Sequence, residues 1–325
     1  MNTTAEWYER AARELGATSQ LQVGWARQVA IDPELVQLID LLPRDHRQPS
    51  LLFAVTNWLG APAVAGPAWR DWVVGNWPAV ERAARSRRTQ TNEVLRCVPL
   101  LLGLDRIVDR VSEPIALLEL GASAGLCLAV DRYSYRFDDA PLLGNGLPVL
   151  ETTTSGAGRA PTRIPRIAWR RGVDLAPLDP TDPDGVRWLE ALLPPDRPER
   201  RERLLAAVST VRDDPPAVVV GDALAALPEL AAAARAEAPD ATLVIAALGT
   251  LVYLPPEQRN AVVDAASNLG AHLLSFEGAG VLPGVAARLQ GLSAPHPTSF
   301  VLAVDGEPIA YARPHGDGVS WLSAG

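Results

Sequence analysis

Pro114-Ile-Ala-Leu-Leu-Glu119-Leu-Gly121-Ala-Ser123-Ala-Gly125-Leu126 is the stretch on which the reading of this chain depends. The apolar run Ile115 to Leu118 has the composition of a buried strand. It meets Glu119 and then a turn of small residues, and a helical pattern follows at once. Strand, tight turn and helix N-terminus form the geometry that presents backbone N–H groups to a ligand. Three readings compete. The turn can be the nucleotide-binding turn of a Rossmann-like sheet, with Glu119 accepting hydrogen bonds from the ligand. It can be a G-x-S-x-G nucleophile elbow with Ser123 as nucleophile. Or its small residues only let a helix pack closely on the strand. Neither pattern is specific alone, so the flanking sequence has to decide.

Upstream, residues 1–111 read as an all-helical region, a cap or lid. Asp32-Pro33-Glu34 is a helix start, and Leu35, Leu38, Ile39 and Leu42 supply an amphipathic stripe. Trp58, Trp69, Trp72 and Trp77 are concentrated in a short span and read as core packing rather than a pocket lining. A long helix is expected over about 89–111. Downstream, residues 112–325 alternate strands with helices, the signature of a mostly parallel α/β sheet. The first helix is expected at Leu126 to Tyr135, an irregular insertion at about 136–166, and the second strand at Arg166 to Asp174. Extra helices fill about 182–212. Ala217 to Val220 reads as a fully buried parallel strand, followed by a helix from Leu224 to Glu237 and a strand from Ala241 to Leu248. Pro255-Pro256-Glu257 opens another helix, and His272 to Phe276 is the next strand. Ser299 to Val304 and Pro308 to Ala312 flank Asp305-Gly306 as an antiparallel hairpin.

Three strands end in carboxylates. The first ends in Glu119 and the turn, the second in Gly172-Val-Asp174-Leu175-Ala-Pro177, and the third in Gly221-Asp222-Ala223-Leu224. In a Rossmann-like sheet all three face one crevice, and the acid after the second strand is placed to bind ribose hydroxyls.

Composition removes other classes. The chain has 325 residues, 48% hydrophobic, and a net charge of −8, which argues against nucleic-acid or anionic-membrane binding. All 30 basic residues are arginine, so there is no P-loop, Schiff-base or kinase lysine. Cys97 and Cys127, with no C-x-x-C, read as buried thiols of a cytoplasmic protein. No apolar run approaches membrane-spanning length, and no leader pattern opens the chain. The four histidines show no ligand spacing, so no metal is expected.

At this point the chain resembles a family. Residues 113–314 are similar to the core of class I S-adenosylmethionine-dependent methyltransferases. Glu119, Gly121 and Gly125 match that family's first acid and glycine-rich turn. Asp174 matches its ribose acid, and Asp222 in Gly-Asp-Ala223-Leu matches the acid that reads the adenine amino group. Leu248-Gly-Thr-Leu-Val-Tyr253-Leu-Pro-Pro-Glu-Gln-Arg259 is similar to the segment flanking the methyl donor. The Ser299–Ala312 hairpin fits the family's antiparallel last strand. The resemblance implies S-adenosylmethionine as cofactor. A second resemblance, over nearly the whole chain, is to a bacterial family known only as a domain of unknown function. Arg88–Val94, Leu118–Leu126, Asp131–Tyr133, Gly172–Leu175 and Ser275–Gly278 carry it. It implies the same core with an N-terminal helical region.

The sequence departs from the methyltransferase pattern at Ser123, which replaces the middle glycine. The spacing to Asp174 also exceeds the roughly 20 residues usual for such a pair. A serine hydrolase needs an acid and then a histidine downstream. His272 opens a strand, and His296 and His315 sit in proline-flanked turns.

The expected function is methyl transfer to a small molecule. Glu93, Asn92, Tyr253 and Glu277 are candidates for the base or orienting group, and Arg88 for an anion clamp. Ser123, Ala223 and Leu248 join the acids and glycines as cofactor contacts. One alternative keeps the scaffold without the donor: intramolecular displacement that closes a ring with loss of sulfate or phosphate. Another is a non-catalytic subunit with a protein partner or a second copy.

Overall fold

The computed structural model describes residues 3–90, 92–111 and 114–322. The chain divides into two compact units, residues 1–91 with 182–204, and residues 92–181 with 205–325. The division differs from 1–111 and 112–325 in two places. The helix after residue 96 packs on the sheet, and residues 182–204 go with the helices.

Helix signals early in the chain become, among the described residues, six α-helices: α1 (Thr4–Glu14), α2 (Gln20–Ile31), α3 (Pro33–Asp40), α4 (Pro49–Trp58), α5 (Pro67–Gly75) and α6 (Trp77–Ser86). Thr3 and Glu6 form a capping box on α1. Asp32 caps α3 with Pro33 in its first turn, as the sequence predicts. Trp25 stacks on Trp69 at 5.2 Å, and Phe53 packs against both and against Tyr8. Both indoles are fully buried, so these rings are core. Trp25 Nε1 donates to the Val64 carbonyl at 2.7 Å.

The long helix expected over 89–111 is shorter. It is α7 (Cys97–Val108), preceded by a 3-10 turn at Val94–Arg96. Residues 87–90, 92 and 93 are not helical, and Thr91 lies outside the described residues. Glu93 is extended and its carboxylate accepts from the Leu95 N–H, so it starts the turn that leads into α7. Later helices are α8 (Pro183–Ala191), capped by Asp182, and α9 (Pro198–Val211), in which the boundary between the units falls. They are followed by α10 (Ala223–Glu237), α11 (Pro256–Asn268) and α12 (Pro283–Arg288).

The second unit is mixed α/β, with a large, mostly parallel sheet and antiparallel C-terminal strands. Its strands are β1 (Ile115–Leu120), β2 (Ser134–Phe137), β3 (Val149–Thr152), β4 (Thr154–Ser155), β5 (Ile167–Asp174), β6 (Ala217–Val220), β7 (Thr242–Leu248), β8 (His272–Gly278), β9 (Phe300–Val304), β10 (Glu307–Ala312) and β11 (Val319–Trp321). The nine-stranded sheet runs β4-β11-β10-β9-β8-β7-β1-β5-β6, while β2 and β3 form a separate pair inside the insertion. β6, β5, β1, β7 and β8 are parallel. β9 and β10 are antiparallel around Asp305-Gly306, both at positive φ, as a two-residue hairpin turn requires.

β6 is not the fully buried strand that its apolar run suggests. It pairs only with β5, and Ala217 and Val220 are exposed. An edge strand keeps one side open whatever its composition. On one face of the sheet Ala116, Leu118 and Leu120 join a core with residues of α10, α11 and α12. Each fully buried leucine there contributes about 2 kcal/mol of apolar burial. On the other face α7 lies against β8 and β9, and Gly103 leaves room for Leu274. Among the described residues no helix is long and apolar enough to cross a membrane.

Candidate functional site

From β1 the chain steps outward through β5 to β6, then returns to β7 on the other side of β1. In open α/β sheets ligands bind outside the carboxyl ends of the strands, where such a reversal occurs. The turn after β1 sits there. Gly121 and Gly125 have φ of 68° and 71°, and Ser123, at 52°, adopts the left-handed conformation without being glycine.

The turn does not present free donors. Gly121 and Ala122 donate to the Val173 carbonyl, and Gly125 donates to that of Ala122. Ser123 N–H donates to Asp174 Oδ2 at 2.9 Å, and Ala124 N–H to Asn92 Oδ1 at 3.1 Å. Asn92 Nδ2 in turn donates to Ser123 Oγ. Every N–H from Gly121 to Gly125 therefore has an acceptor within the chain. The space beside Gly121 is also taken, since a Cβ there would lie 2.5 Å from the side chain of Thr250. Thr250 Oγ1 donates to the Leu120 carbonyl at 2.9 Å and so ties the loop after β7 to the end of β1.

No α-helix follows the turn. Leu126–Arg132 is a 3-10 segment broken at Ala129, and β2 begins at Ser134. Side chains take carbonyls that a helical ladder would use. Tyr133 Oη donates to Leu126, Arg170 to Leu128, and Tyr135 Oη to Val130. The expected helix over Leu126 to Tyr135, with its N-terminal dipole, is absent for this reason.

The acids have distinct environments. Glu119 is buried with Oε2 unpartnered. Burial, with Cys127 and Asp174 nearby, holds its carboxyl well above the usual range against the opposing charge of Arg96. Glu277 lies inside β8 rather than in a following loop. Its Oε1 accepts from the N–H groups of Thr250 (2.7 Å) and Leu251 (2.8 Å), while Oε2 has no partner. Burial pushes Glu277 up to about 7, against those N–H groups and Arg96. Glu93 is buried as well.

Asp174 accepts from Ala176 N–H in addition to Ser123. Asp222 caps α10 through Ala225 N–H at 3.0 Å and is exposed, with Ala223 half-buried behind it. Leu175 and Val220, beside these acids in sequence, are 76% and 75% exposed. Leu248 is buried and its carbonyl accepts from Arg96. Tyr253 is 79% exposed, which leaves its hydroxyl in solvent rather than in an enclosed pocket. Arg88 belongs to the helical unit, where its carbonyl accepts from Trp188 Nε1 and its charge acts on Asp45. The two thiols are buried, as expected, and burial pushes that of Cys97 up. Among the histidines, His272 is bonded to Asp305 and His296 to Thr298.

Arg96 and Thr250 were not singled out by the sequence. Arg96 is buried, donates to the Leu248 and Pro314 carbonyls, and fills the space beside Gly249. One signal for it exists, a lone charge within the apolar run Val94 to Leu104. A charge at such a position needs buried acceptors. Thr250 carries no comparable signal.

Compared with curated proteins, the chain matches none. Residues 5–321 match a family model described as "Uncharacterized protein conserved in bacteria (DUF2332)". The match covers nearly the whole chain, helical unit and sheet unit alike, and the chain belongs to this family.

Proposed function

We propose that the sheet unit is a small-molecule enzyme on a Rossmann-like, methyltransferase-type scaffold, working without S-adenosylmethionine. The closed turn carries this reading. A cofactor's amino-acid part crossing it would have to displace Asn92 from Ala124 and Thr250 from Gly121. These residues do not fit that part of the cofactor.

The chemistry then falls to a substrate with its own leaving group. An acidic side chain takes a proton from the substrate's amine, and the nitrogen lone pair forms a C–N bond. The C–O bond to sulfate or phosphate breaks, the anion leaves with the electron pair, and a ring closes. Glu277, held at about 7, has the proton affinity for this step near neutral pH once substrate binding uncovers its sealed Oε2. Glu93 is a second buried carboxylate adjoining Asn92 in sequence.

One observation favours S-adenosylmethionine-dependent methyl transfer instead. Asp174-Leu175 and Asp222-Ala223 follow neighbouring strands, and each pairs a carboxylate with accessible apolar surface, which suits a ribose and an adenine. Calorimetric titration with S-adenosylmethionine and S-adenosylhomocysteine separates the two. The expected result is no binding by a chain with native circular dichroism. Micromolar binding that Asp174→Ala abolishes would sink the first reading and establish the second.

A further inference from the structure

We propose that a groove at the other end of the sheet binds a small zwitterion, its ammonium group on Asp105 and its acid group on Arg106 and Arg110. The groove has a volume of about 880 Å³, in the range of small-molecule sites. It lies away from the turn after β1. Val304, in its wall, pairs with Leu274 near the start of β8, and α7 ends shortly before β1 begins.

Three observations define the ligand. The first is the floor. Asp105 is only 9% exposed, lines the groove, and makes no hydrogen bond or ion pair among the described residues. Its oxygens are open to the groove rather than sealed in protein, and an ammonium ion brings the charged donors they lack. Burial and the neighbouring Asp109 hold its carboxyl above the ordinary range, with Arg159 and Arg163 opposing.

The second observation is the rim. Arg159 pairs with Asp109 at 3.8 Å and Arg288 with Glu307 at 2.9 Å. Arg106, in the last turn of α7, and Arg110, in the turn that follows it, remain without ion pairs among the described residues. A simple cation would meet these two arginines, and a simple anion would meet Asp105. A molecule with both charges satisfies all three.

The third is the wall, formed by Leu102, Val304, Ile309 and Trp321. The insertion fixes Trp321 there. The bare Cα of Gly158 rests on the indole, and a Cβ would come within 2.0 Å of the ring. An apolar side chain between the two charges, as in a hydrophobic amino acid, matches this surface.

The test is calorimetric titration of the full chain with L-leucine and L-phenylalanine, and with phenethylamine and 3-phenylpropionate, which keep one charge each. Saturable L-phenylalanine binding is expected, weakened about tenfold or more when either charge is removed from the ligand. Asp105→Asn, nearly unchanged in shape, should weaken it by a similar factor. The double variant Arg106→Gln, Arg110→Gln changes exposed residues only and covers a failure of Asp105→Asn to fold. No saturable binding of either amino acid by the folded chain up to about 10 mM overturns the proposal. So does binding that the variants leave unchanged, or that phenethylamine equals.

Discussion

Both units contain buried polar atoms without a hydrogen-bond partner, but among the described residues only those of the sheet unit include carboxylate oxygens. In the helical unit these include the Tyr8 hydroxyl and the indole N–H groups of Trp58 and Trp77. They are neutral donors on rings whose main contribution is apolar area. In the sheet unit they include one carboxylate oxygen each of Glu119 and Glu277. An unpaired neutral donor costs about 1 to 3 kcal/mol, and a buried ionisable group costs more unless it takes up a proton. The first kind reads as the by-product of packing large rings. The second is a reserve of titratable groups near the carboxyl ends of the strands, the end at which open α/β sheets as a class bind ligands.

The contrast can be broken or sharpened by substitution. Trp25→Ala removes an indole stacked on Trp69 and should destabilise the chain by about 3 to 5 kcal/mol in urea denaturation. A loss below about 1 kcal/mol would show that the aromatic cluster is not the core of its unit.

Glu277→Gln should act through pH. The folded carboxyl titrates near 7 and the unfolded one near 4.5, so between these values the folded state binds more protons. Stability from this group is complete below the unfolded value and is lost as pH rises to about 7. The glutamine variant lacks that slope. It should gain about 3 kcal/mol over the natural chain at pH 8, and the gap should close toward pH 4.5. Parallel pH profiles of the two proteins would mean that Glu277 is not a raised carboxyl.

The smallest effect is expected from Asn92→Ala, which removes the bonds of Asn92 to the Ala124 N–H and the Ser123 hydroxyl. A loss of about 1 to 2 kcal/mol should appear in the same denaturation experiment. Faster hydrogen exchange at the Ala124 amide would accompany it. An unchanged exchange rate would mean that Asn92 does not close the turn.

Elements with strong local signals were legible. β1 spans the expected Ile115 to Leu120, Asp182 and Pro183 start α8, and Asp305-Gly306 turns the hairpin. Each depends on apolar patterning or on residues whose backbone preferences act locally. Much of what failed was non-local. In the segment after the turn, Arg170 from β5 takes one carbonyl, beside two taken by Tyr133 and Tyr135 from the expected helix itself. β6 is exposed because nothing pairs with its far side, a fact of strand order rather than composition. The site shows the same split. Asp174 ends β5 and Glu119 stands one residue before the end of β1, where the sequence placed them. Their occupancy by Ser123 N–H and by burial was not visible, nor was the bridge from Asn92, 31 residues from its partner Ser123. Glycine in the turn suggested room for a ligand, but glycine also makes room for a threonine.

The division of the chain bears on how its gene can be cut. The helical unit is encoded in two pieces, residues 1–91 and 182–204. A fragment ending at residue 91 lacks α8, which packs on α4 and accepts a hydrogen bond from Asn57 through the Ala191 carbonyl. No single truncation releases either unit whole, and separate expression of the helical unit needs its two segments fused.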